Sequence, residues 1–422
     1  MTDLPTLNTA DADYTRDPYT PLAALREQES LSRTVVDGLP LWLVTRYDDA
    51  VRVLSDPRIS NDGSRHGGPG ARGVAWTGTR GGLHAHLLRV DAPDHTRLRR
   101  LVSKAFTPRR VAALEPRIRT IATELIAALP TESEHVDLLA AYASPLPIAV
   151  IAELFGVQAA DLGEFRYWTD AYVGVSASDG GLQAEAVRRL GILLVDLIHR
   201  RREELGDRGL DVEHEGTLLD GMIKARDHDD RLDEPELLAM AFLLLAAGYE
   251  TTVNLIANGL LVLMSEPARL AQLVAEPGLL PAAIEEFLRF ESPVKTAAPR
   301  YATEDLYLSD TLISAGDAVL VHHSAVNRDP ARAADADVYD LRRSATRAGG
   351  SHLAFGHGPH YCLGASLARL EARVAFEELL VAYPGTELAV PVDAIEWRHS
   401  RQIRGVRALP VRLGHVPASG HR

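Results

Sequence analysis

The chain of 422 residues contains a single cysteine, Cys362. With no second thiol there is no intramolecular disulfide, no multi-cysteine zinc site and no iron–sulfur cluster. If this thiol does chemistry it acts alone, as a nucleophile or as one metal ligand. Basic charge is also scarce. The formal net charge is -13, which argues against a nucleic-acid partner. The opening residues, Met1-Thr2-Asp3-Leu4-Pro5, have no basic stretch followed by an apolar one, so neither a secretory signal nor a membrane anchor is expected. The longest apolar run, Leu237 to Gly248, is too short to span a bilayer and reads as a core helix. No flavin or nicotinamide fingerprint is visible. The expectation is a soluble cytoplasmic protein with no membrane partner, and a monomer.

Composition is 46% hydrophobic and 24% charged, enough apolar material for one large core. Residues 34–46 read as a β-hairpin, with Asp37-Gly38 as the turn signal. Residues 61–82 are too rich in glycine for a regular element, and 61–90 is expected to be a lid-like loop. From Asp94 to about Leu270 the pattern is mainly helical. Asp233 with Glu236, and Pro235 between them, forms a capping-box start. The helix it opens reaches roughly Met264, about 45 Å at 1.5 Å per residue, and is apolar nearly all round. After Pro293, residues 302–308 and 317–321 look like short strands. A last helix spans about 365–382, and 385–415 is strand and turn. The fold class is mainly α with a smaller β-rich part. One domain over 1–422 is expected, with about 1–15 flexible.

Three motifs carry chemistry. Cys362 lies in Phe355-Gly356-His357-Gly358-Pro359-His360-Tyr361-Cys362-Leu363-Gly364, ahead of a helix starting near Ala365. Glycines let the backbone turn tightly beside a flat ligand, and N–H groups at the helix start stabilise a thiolate. A lone cysteine is more often an inert buried thiol, but these companions weaken that reading. Ala247-Gly248-Tyr249-Glu250-Thr251-Thr252 places an acid, hydroxyls and a glycine inside an apolar helix, where a buried charge needs work or partners. Threonine there can bond a carbonyl one turn back and open a groove. Glu286 and Arg289, three apart, share a helix face and can pair. Such pairs are common on solvated helices, so this signal is weak alone.

Taken in order, these motifs resemble the cytochrome P-450 family of haem-thiolate monooxygenases, in the style of actinobacterial biosynthetic members, over roughly residues 15–415. The resemblance implies that haem b (iron protoporphyrin IX) sits between the central helix and the cysteine loop, with Cys362 as axial thiolate and metal ligand. It implies that Phe355 packs near the sulfur, with Gly364 beside it, and that Glu250 and Thr251 deliver protons to dioxygen. His95, Arg99, Arg300 and His360 fall at the family's propionate-binding positions. Glu286 and Arg289 match its structural E-x-x-R, which locks onto a later meander. Here that meander has Ala336 and Val338 where the family has proline and a basic residue, so either Arg342 or Arg343 substitutes or the meander is looser here. By the same resemblance Ala247, Val294, Thr296, Ala297 and Ile403 line the substrate pocket, and Tyr167, Trp168, Tyr172 and Val173 its mouth, with Arg65, Arg72, Arg80 and Lys295 making that mouth basic.

The reading is an O2-dependent monooxygenase that hydroxylates or epoxidises a bulky apolar natural product such as a polyketide or macrolide, a terpenoid or a steroid. Electrons come from NAD(P)H through a separate ferredoxin reductase and a ferredoxin, docked on the basic run Arg97, Arg99, Arg100, Lys104, Arg109, Arg110 and Arg117. Two rivals remain at this point. One is a haem-binding recruiter without turnover, against which the presence of both Glu250 and Thr251 argues. The other is a zinc protein using His357, His360 and Cys362.

Overall fold

The structure, a computed structural model of the chain, describes residues 4–29, 31–66, 86–130, 134–158, 160–174, 180–208, 216–227, 232–332, 335–343 and 352–414. A helical body packs against a six-stranded sheet whose strand order is Thr6–Leu7, Leu31–Val36, Leu39–Val44, Ala318–Val321, Arg300–Ala302, Ile59–Ser60. The two central amino-terminal strands form the expected hairpin, Leu31 opposite Val44. Asp37 and Gly38 both take positive φ, 48° and 82°, as a two-residue turn with the twist of its strands requires. Ala318–Val321 then adds in parallel beside the hairpin, and Arg300–Ala302 adds antiparallel to that strand. This crossover delivers Arg300 from late in the chain to the amino-terminal side of the helical body. The segment expected to be loose before residue 16 is tied down from Thr6, which pairs with Val35, and Asp11 caps the helix Ala12–Arg16. Of the glycine-rich loop, 67–85 lies outside the described residues. Its flanks form short helices at Gly63–His66 and Leu87–Arg89.

The central helix runs Glu234–Met264. Asp233 accepts the Glu236 N–H while Glu236 returns to the Asp233 N–H, so two orphan donors of the first turn are satisfied. It is long and apolar enough to cross a membrane, but 67% of its most apolar window is buried inside the protein. Gly259 explains how its neighbours approach. A Cβ there would lie 2.7 Å from the Phe376 ring and 2.8 Å from the Phe287 ring. Those two rings stack at 5.1 Å between centroids, one from the helix Leu280–Phe290 and one from the helix Ala365–Ala382. Three helices therefore meet at a point where only a hydrogen fits.

The E-x-x-R lock forms with a substituted third member. Arg289 holds Glu286 through two contacts of 2.7 Å, both side chains being buried. Arg289 also donates to the carbonyls of Asn327, Ala336 and Val338. Arg343 supplies the missing cation, its Nε 3.0 Å from Glu286 Oε1, while Arg342 turns to Glu276. Val338 lends only its carbonyl and leaves its side chain 55% exposed. Removing one partner of a buried pair strands the other's charge, so Glu286→Ala should cost about 3–5 kcal/mol. Urea unfolding of the haem-loaded protein checks this; a loss under about 1 kcal/mol would show that the lock is ornamental.

Candidate active site

The cysteine loop is closed by its own backbone. The Gly356 N–H donates to the Leu353 carbonyl and the Cys362 N–H to the Phe355 carbonyl, each at 2.9 Å. Gly356 and Gly358 take φ of 72° and 69°. At Gly358 a Cβ would meet the Leu54 carbonyl oxygen at 2.6 Å, so the loop lies directly on the end of the helix Tyr47–Ser55. The Gly364 N–H donates to the Cys362 sulfur. Cys362 counts as exposed, yet protein surrounds its thiol. The two facts agree if its open surface faces an internal space. Desolvation pushes the thiol above its ordinary value, against the pull of the Gly364 N–H, Arg99 and Arg369. A metal ion would reverse that balance, because a thiol ligates as the thiolate.

Phe355 is pinned by a pair that the sequence did not single out. Arg369 lies 4.5 Å from its ring centroid and is itself held by Glu285 at 2.5 and 2.7 Å. His352 adds a third contact to Glu285 at 3.0 Å. Despite its desolvation, Glu285 is held down to about 2 by these two partners. The signal was present as an acid next to Glu286 and an arginine seven residues past Cys362, but nothing local joins them.

The cation set converges from three segments, one of which carries both His95 and Arg99. His95 is on the helix Asp94–Ser103, Arg300 starts its strand, and the His95 and His360 rings lie 4.0 Å apart. Arg99 Nη2 donates to the Tyr361 carbonyl at 2.7 Å. Burial, then the mutual repulsion of His95, Arg300 and Arg99, drives His360 down to about 3, and burial brings Arg300 to about 10. His95 Nε2, Arg300 Nε and His360 Nδ1 are buried without a hydrogen-bond partner. Orphaned donors and cations forced toward neutrality are what a site built for anions looks like when no anion compensates it. Two carboxylates beside an iron ligand fit it, and a haem brings both.

The central helix presents two different faces. Ala247 is exposed and Thr251 half-buried, at i and i+4, in the middle of a helix that is otherwise mostly buried. The Thr251 hydroxyl donates to the Ala247 carbonyl at 2.8 Å and Thr252 to Gly248 at 3.1 Å. Glu250, about 100° further round, faces a separate cavity of about 250 Å³. Its carboxyl is pushed up to about 7 by burial, against Arg398, whose Nη1 is 3.5 Å from Oε1. The acid and Thr251, expected to act as a pair, thus sit on adjacent faces.

Other expectations divide. Val294 and Ile403 do meet, as an antiparallel bridge, and Ala297 is half-buried nearby in sequence. Thr296 is buried and donates to the Arg401 carbonyl at 3.3 Å. Lys295 is buried, donates to the Ser400 carbonyl and is brought down to about 8 by desolvation, so it does not charge a pocket mouth. Arg65 faces Asp62, Tyr167 is exposed, and Tyr172 packs on Phe242 of the central helix. Arg72, Arg80 and the Val173 side chain lie outside what is described. The basic run is thinned, since Arg97 pairs with Glu236 and Arg117 with Glu153, leaving Arg100, Lys104, Arg109 and Arg110. Among the described residues no three His, Cys, Asp or Glu side chains form a metal cluster, which removes the zinc reading.

A single sulfur ligand and a cluster awaiting two carboxylates are reconciled by one class of protein, the haem-thiolate proteins. Known proteins agree. Residues 174–385 match the family model described as Cytochrome P450. The chain is 43% identical to Cytochrome P450 107B1 of Saccharopolyspora erythraea over 98% of its own length and 99% of that protein. It is 41% identical to Mycinamicin IV hydroxylase/epoxidase of Micromonospora griseorubida, over 92% and 93%. The structure of tirandamycin C-bound P450 monooxygenase TamI superimposes with a TM-score of 0.86 at 44% identity, covering 97% of this chain and all of that one. The chain belongs to the cytochrome P450 family of monooxygenases, which carry haem on a cysteine thiolate.

Two outcomes follow from this geometry. Cys362→Ser should abolish the red-shifted Soret band of the reduced carbon monoxide complex, and retention of that band would remove Cys362 as the ligand. Arg300→Leu deletes one charge-assisted partner worth about 1.5–3 kcal/mol, so haem transfer to a scavenger protein should speed up about ten- to a hundredfold. An unchanged rate would take Arg300 out of the anion cluster.

Proposed function

We propose that the chain hydroxylates or epoxidises a bulky, mainly apolar natural product in the cytoplasm, as a monomer served by a separate ferredoxin and its NAD(P)H-dependent reductase. Haem held by Cys362 supplies oxygen activation, the thiolate pushing electron density toward the iron. His95, Arg99, Arg300 and His360 hold its propionates. Phe355, pinned by Arg369, shields the sulfur. The observation that carries turnover, over haem binding alone, is the polar set in the middle of the central helix. A carboxyl near 7 can take and give a proton at neutral pH. The Thr251 hydroxyl, donating to Ala247, keeps its lone pairs free to accept a proton-bearing partner. Ala247 leaves space where a larger side chain would intrude, and Val294 and Ile403 offer apolar contact. The names of two relatives support the substrate class, one a mycinamicin hydroxylase/epoxidase and one binding tirandamycin C.

A panel of polyketides, macrolides, terpenoids and steroids scored by the low-spin to high-spin Soret shift tests the class; no shift with any bulky apolar compound would overturn it. Thr251→Ala should keep the thiolate spectrum and lower product formed per NAD(P)H several-fold, since general acid–base steps contribute about 10²–10⁴. Full coupling in that variant would remove Thr251 from proton delivery. Reversing Arg100, Lys104, Arg109 and Arg110 to glutamate should slow reduction by ferredoxin and flatten its dependence on salt. Unchanged kinetics would place the docking surface elsewhere.

A further inference from the structure

Arg89 is a cation without an anion. It closes the short helix Leu87–Arg89, its N–H donating to the His86 carbonyl at 3.0 Å, and its side chain is half-buried. Other arginines of this region find carboxylates, Arg65 facing Asp62 and Arg97 holding Glu236. Among the described residues Arg89 finds none, and the groups that feel its charge are two phenols, Tyr172 and Tyr301. Residues 67–85, between Arg65 and Arg89, contain no Asp or Glu and add Arg72 and Arg80. Loss of solvent holds the guanidinium below its ordinary value, yet an arginine stays charged at neutral pH. A desolvated cation with no partner is a cost that an anionic ligand removes.

The haem edge does not supply that ligand. The charges felt at His95, His360 and Arg300 are those of one another, of Arg99 and of Asp91, and Arg89 is felt at none of the three. Glu250 does not supply it either. Its charge reaches Tyr172, but the cation it feels is Arg398.

Both phenols are held in place. Ser60 stands opposite Tyr301 in the sheet, and a Cβ on Gly63 would lie 2.5 Å from the Tyr301 ring. Asp91, just beyond Arg89, accepts from the Ser60 hydroxyl and from the Asn61 N–H. One clamp thus fixes the Arg89 segment to the strand that pairs with Tyr301. Tyr172, on the helix Leu162–Gly174, packs edge-on against Phe242 of the central helix with centroids 5.2 Å apart. Phe242 is less than two turns of that helix from the exposed Ala247. Burial raises Tyr172 and Tyr301, so both keep their protons at neutral pH and can donate. A guanidinium and two phenols, one borne by the sheet and one by a helix, share a place with no opposite charge.

We propose that Arg89, with the Tyr172 and Tyr301 hydroxyls, binds a carboxylate carried by the substrate, so that the natural product oxidised here is a bulky apolar acid and not a neutral molecule or an amine. This rests on the reading of the Ala247–Thr251 face as the substrate pocket of a monooxygenase. A guanidinium takes a carboxylate through two parallel N–H bonds, which fix orientation as well as adding affinity. The acid end is held at the sheet edge, and the apolar remainder crosses toward Ala247. Oxidation then falls on carbon remote from the carboxylate. The basic character expected of the pocket mouth moves with this assignment, from Lys295, which is buried under Ser400, and Arg65, which is paired, to Arg89.

Matched pairs test this on the haem-loaded protein: lithocholic acid, abietic acid and monensin, each beside its own methyl ester. Binding is read by the Soret shift and by calorimetry, which also counts ligands that leave the spin state alone. In the wild type the acids should bind about ten- to a hundredfold more tightly than their esters, the worth of one charge-assisted contact. Arg89→Gln should erase that preference by weakening the acids and leaving the esters unchanged, and Arg89→Lys should retain part of it. A merely structural role would weaken acid and ester alike. Acids that bind no better than esters, a preference that survives in Arg89→Gln, or no acid bound in calorimetry would each overturn the proposal. Acids bound through Arg89 yet never oxidised would count against the monooxygenase reading and leave this assignment standing.

Discussion

A buried cluster of basic groups with orphaned polar atoms is the constraint from which the rest of the molecule is arranged. His95, Arg99, Arg300 and His360 come from a helix, a strand and a loop that are far apart in sequence. Asp91, the carboxylate that favours the charged forms of His95 and Arg300, is already engaged by Ser60 and by the Asn61 N–H. Like charges brought this close repel, so the sheet, the loop and the helix Asp94–Ser103 hold in register a cluster whose members are each harder to charge.

The central helix organises the opposite side by being a wall and not merely a core element. Its apolar surface packs against the aromatic pair Phe287 and Phe376 through Gly259, which fixes its height above the cysteine helix Ala365–Ala382. Its polar turn then faces two spaces at once, with Ala247 and Thr251 toward one and Glu250 toward the other. Burial acts differently on the two sides. It leaves Thr251 satisfied by a local carbonyl and leaves Glu250 poised between charge states.

What could be read from the sequence was whatever is decided within a few residues. The capping box at Asp233, the Asp37-Gly38 turn and the start of the last helix at Ala365 all stand where the sequence placed them. The cysteine loop was legible because its glycines answer to backbone conformation, not to distant partners. The errors lie at pairings between remote segments. Lys295 looked like a surface charge but folds under Ser400. The choice between Arg342 and Arg343 turned on which one reaches Glu286. Glu285 with Arg369, and Arg398 with Glu250, left no trace in local pattern because each joins elements that only tertiary packing brings together.

The carboxyl end of the short helix Tyr47–Ser55 touches both halves of the cofactor site. The Val53 and Leu54 carbonyls accept Arg300, and the Leu54 carbonyl also fills the space that Gly358 leaves free. One early turn of helix is thus the shared abutment of a mid-chain cation and the late cysteine loop. During synthesis that abutment waits, incomplete, until nearly the whole polypeptide has left the ribosome. The contacts that complete it, from Arg300 and from the Gly358 turn, each span more than half of the chain and form only once both segments exist.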